Sequence, residues 1–331
     1  MTRRLRLGFV GCGAIASLVH LRSARSFSDV EIVGLADPLP AALEGAARLA
    51  PGAALFPSVD RLLEGAAPDA VVVATPSGTH SAIASAVLDA GSHLYLEKPI
   101  ATDLDAAEAL ARRAVAAGVI AAVGFNRRFH PIVQQAQRLI AAGRLGQIVE
   151  IETIFAEPHD LSTMPAWKKA RRSGGGAPLD LASHHVDVIR ILLGRELEAD
   201  GGELRSVRSD LDDGFLSFAA GACRITVGCS FVKPREDRLA LRDETGRTLV
   251  LDRVRGRLTL GQRQARVAAL AETRLRAIVR PGSDPSYRPA LRAFVDCAQG
   301  GVRAIPLLAT DGLESVRAIV ESERLATGGE R

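Results

Sequence analysis

Lysine is nearly missing from this sequence. Of 42 basic residues in the 331-residue chain, four are lysine (Lys98, Lys168, Lys169 and Lys233) and the other 38 are arginine. Such a bias uses arginine wherever any cation suffices, so each retained lysine asks what a compact ammonium does there that a guanidinium does not. Stacking residues are scarce too: the chain has two tyrosines and one tryptophan, and no long basic run. A nucleic-acid partner is therefore not expected. The net charge of +4 is a small difference between 42 basic and 38 acidic residues, which reads as a solvated arginine surface with at most a local basic rim for an anionic substrate. Four cysteines (Cys12, Cys223, Cys229, Cys297) form no CxxC pair and no zinc-ligand spacing, which points to buried thiols in a reduced, cytoplasmic protein. The uncharged apolar stretch Ala114 to Phe125 falls short of the about 20 residues that cross a bilayer, so no membrane partner is expected. Arg3, Arg4 and Arg6 before an apolar run superficially resemble a secretory signal ending at Cys12. Leu5–Val10 also reads as a buried strand that cleavage would delete, and that is the expectation adopted.

What is present is a strand–helix alternation. Leu5–Val10, Val30–Ala36, Ala70–Ala74, His93–Leu96 and Val119–Val123 are short apolar runs of the kind buried in a parallel sheet, with helical patterns near 14–25, 40–50, 79–90 and 103–117 between them. At roughly 150 residues per domain the length suits two domains. The first, residues 1–124, is expected to be a doubly wound α/β (Rossmann) dinucleotide-binding domain. From 125 to 331 the pattern changes to helices near 132–142, 179–193, 289–299 and 308–326, with strands at 147–155 and between 203 and 261, separated by glycine-bearing turns. That predicts an α+β domain with a largely antiparallel sheet.

The first strand runs into Gly11-Cys12-Gly13-Ala14-Ile15-Ala16, a G-x-G-x-x-A sequence. Gly11 allows the tight turn, Gly13 lets a pyrophosphate approach the backbone, and Ala16 lets the helix pack closely on the strand; Ala14 and Ile15 open that helix. Asp37, at the end of the second strand, is placed to bind both ribose hydroxyls of an adenosine and to repel a 2′-phosphate, which favours NAD over NADP. Capping of the next helix is its other explanation. Thr75, Pro76 and Ser77 follow another buried strand, where strand ends line a cofactor cleft. His80 lies one turn further on, and helix packing or capping explains it equally well.

Glu97-Lys98-Pro99 ends the strand His93–Leu96 at the sheet edge where ligands bind, and Pro99 biases Lys98 toward an extended backbone. Surface solvation is the alternative for Lys98. In the second half, Asp180 and His184 stand four residues apart, on one face of a helix, with Asp187 near it. A carboxylate beside an imidazole can orient it as a general base, while a purely structural cap is the alternative. A metal held by His184, His185 and Asp187 is the other arrangement these side chains suggest, but adjacent histidines leave a helix on different faces, and no metal is expected.

These residues together resemble the glucose–fructose oxidoreductase / inositol dehydrogenase (Gfo/Idh/MocA) family over nearly the full length. The matching pieces are Gly11–Ala16, Thr75-Pro76-Ser77-Gly78-Thr79-His80, Glu97-Lys98-Pro99, the stretch Gly124 to Phe129, and Gly174-Gly175-Gly176 leading to Asp180-x-x-x-His184. Ala182 departs from the pattern, where a glycine is common. The resemblance implies an oxidoreductase that moves hydride between NAD(P) and a secondary alcohol or ketone of a sugar, cyclitol or nucleotide-sugar. It makes Lys98 and His184 the catalytic pair, with Asp180 beside them. Glu97 and Lys98 then join Gly11, Gly13, Ala14, Ile15, Asp37, Thr75, Pro76, Ser77 and His80 around the cofactor. Asn126 and Arg127 are candidates for the substrate pocket, as are Trp167 and Arg172 in the stretch containing Lys168 and Lys169, although a solvated loop explains that stretch equally well. A homodimer or homotetramer through the C-terminal sheet is expected. Two alternatives within the same fold are a redox-neutral NAD-dependent glycosidase and a non-catalytic dinucleotide-binding regulator.

Overall fold

Nearly continuous apolar runs make the central strands of the first sheet: Leu7, Phe9 and Val10 of β1 (Leu5–Val10) and all of β4 (Ala70–Val73) are buried, as parallel strands covered on both faces must be. The computed structural model describes residues 3–265 and 284–329. Contacts divide the described residues into two units, 3–101, 105–126 and 284–313 in the first, 102–104, 127–265 and 314–329 in the second.

In the first unit, six parallel strands run in the order β3-β2-β1-β4-β5-β6, with β2 at Val30–Ala36, β3 at Ala54–Phe56, β5 at His93–Leu96 and β6 at Ala121–Val123. The order reverses between β1 and β4, which places a crevice beyond their carboxyl ends. Two elements extend the five-strand expectation. β3 is a three-residue edge strand, mostly exposed and too short to show a period, and the helix Val59–Ala66 follows it, capped by the Ser58 side chain accepting from the Arg61 N–H. The boundary also differs from the expected cut at 124/125. The helix Tyr287–Ala298 buries Leu291, Phe294 and Val295 in the same core as Leu7, Phe9 and Tyr95, so a distant stretch of chain completes the first unit.

The second unit is built on eight strands in the order β14-β13-β12-β11-β7-β10-β9-β8. They are β7 (Ile148–Ala156), β8 (Glu198–Arg205), β9 (Asp213–Ala220), β10 (Cys223–Ser230), β11 (Glu236–Asp243), β12 (Thr248–Asp252), β13 (Arg257–Leu260) and β14 (Arg263–Ala265). All pairings are antiparallel except β7 with β10. The helices Pro131–Ala141 and Ser183–Leu193 cover one face, burying Ile132, Val133, Val186 and Ile189 against Ile151, Leu216 and Leu239. Among the described residues, no helix is long and apolar enough to cross a membrane.

Candidate active site

The glycine loop of the first unit fits a dinucleotide. Gly11 has φ +87°, and a Cβ there would lie 2.5 Å from the Ala74 carbonyl oxygen, so only glycine brings β1 and β4 this close at the crevice. Gly13 is the opposite case: a Cβ would meet nothing within 4 Å, and Gly13 and Ala14 are exposed while Ala16 is fully buried against the sheet. Open space over an exposed glycine amide is what a pyrophosphate needs. The helix after the loop winds its first turns as a π segment, Ala16–His20, and continues as Leu21–Arg25.

Asp37 braces this loop. Its Oδ2 accepts from the Cys12 N–H at 2.8 Å and its Oδ1 from the Leu39 N–H at 2.9 Å. Each oxygen keeps further lone-pair capacity for a ribose hydroxyl. The Cys12 thiol is pushed up to about 12 by burial and then by the Asp37 charge, so it is no thiolate at neutral pH. Thr75 and Pro76 remain at least partly exposed beyond β4, while Ser77 and His80 are buried. The His80 ring is taken up by backbone, with Nδ1 2.6 Å from the Pro99 carbonyl and Nε2 2.9 Å from that of Thr75.

The Glu97 carboxylate turns inward, its Oε1 2.7 Å from Nε2 of the fully buried His20. Gly124 makes room for it, since a Cβ there would approach Glu97 Oε2 to 2.9 Å. Nothing in the sequence singled out His20, one histidine in an apolar helix. Asn126 is buried and donates from Nδ2 to Ser286 Oγ at 2.7 Å.

In the second unit, the chain from Gly174 to Arg190 is buried at every residue except Asp180 and His184. Pro178–Ala182 is again a π segment leading into the helix Ser183–Leu193. Lys168 Nζ lies 2.7 Å from Asp180 Oδ2, and the loop that carries it is closed by Gly175, where a Cβ would meet the Lys168 carbonyl oxygen at 2.3 Å. Phe155 and His184 meet in a T-shaped contact, their ring centroids 6.0 Å apart. Trp167 is partly buried and Arg172 exposed in the same loop.

The neighbours of this pair are committed elsewhere. His185 places Nε2 3.0 Å from Asp237 Oδ1, and Arg128 Nε donates to both Asp187 oxygens at 3.0 and 2.9 Å. Arg127 stacks over Phe155 at 4.0 Å and pairs with Asp237 at 3.0 Å, so its guanidinium lies in the core of this unit. Among the described residues, no cluster of three His, Cys, Asp or Glu could hold a metal ion.

Residues 5–125 match the model of an oxidoreductase family with an NAD-binding Rossmann fold, and residues 133–247 match the GFO/IDH/MocA C-terminal domain. The chain belongs to the GFO/IDH/MocA oxidoreductase family. It is 36% identical to inositol 2-dehydrogenase of Rhizobium meliloti (strain 1021) over 194 residues, 58% of this chain and 56% of that one. It is 27% identical to scyllo-inositol 2-dehydrogenase (NAD(+)) of Bacillus subtilis (strain 168) over 67% of this chain and 66% of that one. The match thus spans little more than half the length of the first of these relatives. The structure of WlbA dehydrogenase from Bordetella pertussis, in complex with NADH and UDP-GlcNAcA, superposes with a TM-score of 0.86 at 24% identity, covering 98% of this chain and 96% of that one. Likeness at that identity is a likeness of fold.

Proposed function

We propose that this member of the GFO/IDH/MocA family is an NAD-dependent oxidoreductase acting on a secondary alcohol of a cyclitol or sugar. The observation that carries the reading is that Asp180 and His184, on one helix face, are the two side chains left partly exposed in an otherwise buried run. NAD, when bound, supplies the hydride acceptor. Gly11, Gly13, Ala14, Ile15 and Asp37 hold it, with Thr75, Pro76 and Ser77 at the neighbouring strand end. His184 takes the hydroxyl proton as general base, and the Lys98 ammonium hydrogen-bonds the same oxygen and stabilises the developing alkoxide. Asp180, kept in place by Lys168, accepts from a neighbouring hydroxyl. Family membership supports these roles for Lys98 and His184. The names of two relatives, an inositol 2-dehydrogenase and a scyllo-inositol 2-dehydrogenase, favour a cyclitol. Asn126, Trp167 and Arg172 are proposed at the edge of the substrate pocket. Four buried free thiols suit a reducing cytoplasm. A homodimer or homotetramer through the eight-stranded sheet is proposed as the working assembly.

The test is cofactor reduction by the purified full-length chain, with inositols, free sugars and UDP-sugars screened against NAD and NADP. NADH formation with a cyclitol or sugar is the expected result, and Lys98→Met abolishes it while leaving NADH binding nearly intact. Absence of reduced cofactor with every substrate, or full turnover by Lys98→Met, overturns the reading.

A further inference from the structure

The tripeptide that carries Lys98 is gripped on both sides by buried histidines. On the residue before it, the Glu97 carboxylate lies 2.7 Å from His20 Nε2; on the residue after it, the Pro99 carbonyl lies 2.6 Å from His80 Nδ1. His20 is 0% exposed and His80 1%, so neither ring is a surface group that happens to reach inward. The two histidines come from different elements. His20 ends the π segment of the helix that follows the glycine loop, and His80 begins the helix His80–Asp89 after β4. The grips therefore tie the end of β5 to the elements on both sides of the crevice between β1 and β4.

Each grip is itself supported. Tyr95 and Tyr287 make T-shaped contacts with the His20 ring, with centroids 5.4 and 5.8 Å away, while Gly124 gives the Glu97 carboxylate its space. The second nitrogen of His80 reaches the Thr75 carbonyl, so one ring spans the two strand-end loops. Burial lowers the His80 pKa, and the nearby Lys98 charge lowers it further, against the two carbonyls and Glu97, which raise it. A neutral ring has one N–H and donates to one carbonyl at a time. We infer that His20 and His80 are positioning residues, which fix the backbone on either side of Lys98 and so hold its ammonium in one place for the reaction. The inference rests on the proposed role of Lys98.

Four lysines in the chain make a direct test available, because each can be resolved after amine labelling and proteolysis. The rate of reductive methylation of Lys98 is measured by mass spectrometry in the full-length protein, with Lys233 as internal reference. The variants are His20→Leu, His80→Leu, and the conservative pair His20→Gln and His80→Asn, which keep an N–H donor at Nε2 and Nδ1 respectively. Thermal unfolding and NADH titration by fluorescence accompany each. The expected result is a Lys98 to Lys233 labelling ratio changed at least three-fold in the leucine variants, with the ratio restored by His20→Gln and His80→Asn. Turnover of whichever polyol the wild type oxidises falls about ten-fold or more in kcat, with the NADH dissociation constant within two-fold. A leucine variant that does not fold is replaced in the comparison by Glu97→Gln for His20 and His80→Gln for His80, which weaken the grips at nearly constant volume. A labelling ratio unchanged in folded variants overturns the inference, as does a loss of kcat matched by equal losses of NADH affinity. A wild type that oxidises nothing would refute the oxidoreductase reading alone, since the labelling ratio still decides the positioning role.

Discussion

The carboxylate of Asp37 accepts a hydrogen bond from the backbone N–H of Cys12, inside the glycine loop, at 2.8 Å. One side chain at the end of β2 thus holds the loop in shape while leaving lone pairs for a ribose. Replacing Asp37 with alanine removes both functions and should raise the NADH dissociation constant ten-fold or more, about 1.4 kcal/mol per decade. Asp37→Ser removes the charge that repels a 2′-phosphate but keeps a small acceptor, so it should lose selectivity for NADH over NADPH faster than it loses NADH affinity. Fluorescence titration with both reduced cofactors checks this. Unchanged selectivity in Asp37→Ser would remove Asp37 from the adenosine site.

Gly11 and Gly13 should separate folding from cofactor binding. At Gly11 the positive φ and the Ala74 carbonyl 2.5 Å from a Cβ both oppose alanine. Gly11→Ala is therefore expected to lower the unfolding free energy by more than about 1 kcal/mol. At Gly13 a Cβ meets nothing of the protein, so Gly13→Ala should unfold at nearly the wild-type temperature yet bind NADH at least ten-fold more weakly. Calorimetry and titration on the same two samples decide it. Equal losses of stability in both variants would mean that the space over Gly13 is not kept for a ligand.

Local motifs were legible in the sequence because their meaning lies within a few residues. Gly11–Ala16 and Asp180-x-x-x-His184 declare a turn and a helix face by spacing alone, and the structure of each unit shows that turn and that face. Partners far apart in the chain leave no such mark. His20 finds Glu97 77 residues away, and Arg127, expected at the substrate, finds Asp237 110 residues away. The helix Tyr287–Ala298 shows the apolar period of any amphipathic helix, and nothing in that period says which core it completes. β3 was invisible for a different reason: three mostly exposed residues carry no period at all.

His184 and Asp180 should differ in how they fail. Loss of a general base typically costs 10²- to 10⁴-fold in rate, so His184→Ala should fall within that range in kcat with cofactor binding unaffected. Asp180→Asn removes the charge that Lys168 faces at 2.7 Å and should act mainly on KM for the polyol. Steady-state kinetics with the substrate found by the screen separate the two patterns. If Asp180→Asn left both constants unchanged, Asp180 would be only a structural partner of Lys168.

Stability should fall as the solution is acidified below pH 6.5, and part of that fall belongs to His185. Burial drives the His185 pKa down to about 4, with the Arg127 and Arg253 charges adding to the depression and Asp237 opposing it. Arg127 and Arg253, in turn, hold the Asp237 carboxyl well below the usual carboxylate range against the cost of burying it. Unfolded, His185 returns to its ordinary value near 6.5. Between pH 6.5 and 4 the unfolded chain therefore binds a proton that the folded one does not, and stability rises with pH across that window. A single such group contributes a slope of up to about 1.4 kcal/mol per pH unit. His80, His93 and His159 are also lowered by burial and act in the same direction, so the wild-type slope sums several groups. His185→Gln keeps a donor toward Asp237 and does not titrate. Urea unfolding from pH 7 to 4.5 should give this variant a shallower pH dependence than the wild type. Identical slopes for the two proteins would show that folding leaves the His185 titration unshifted.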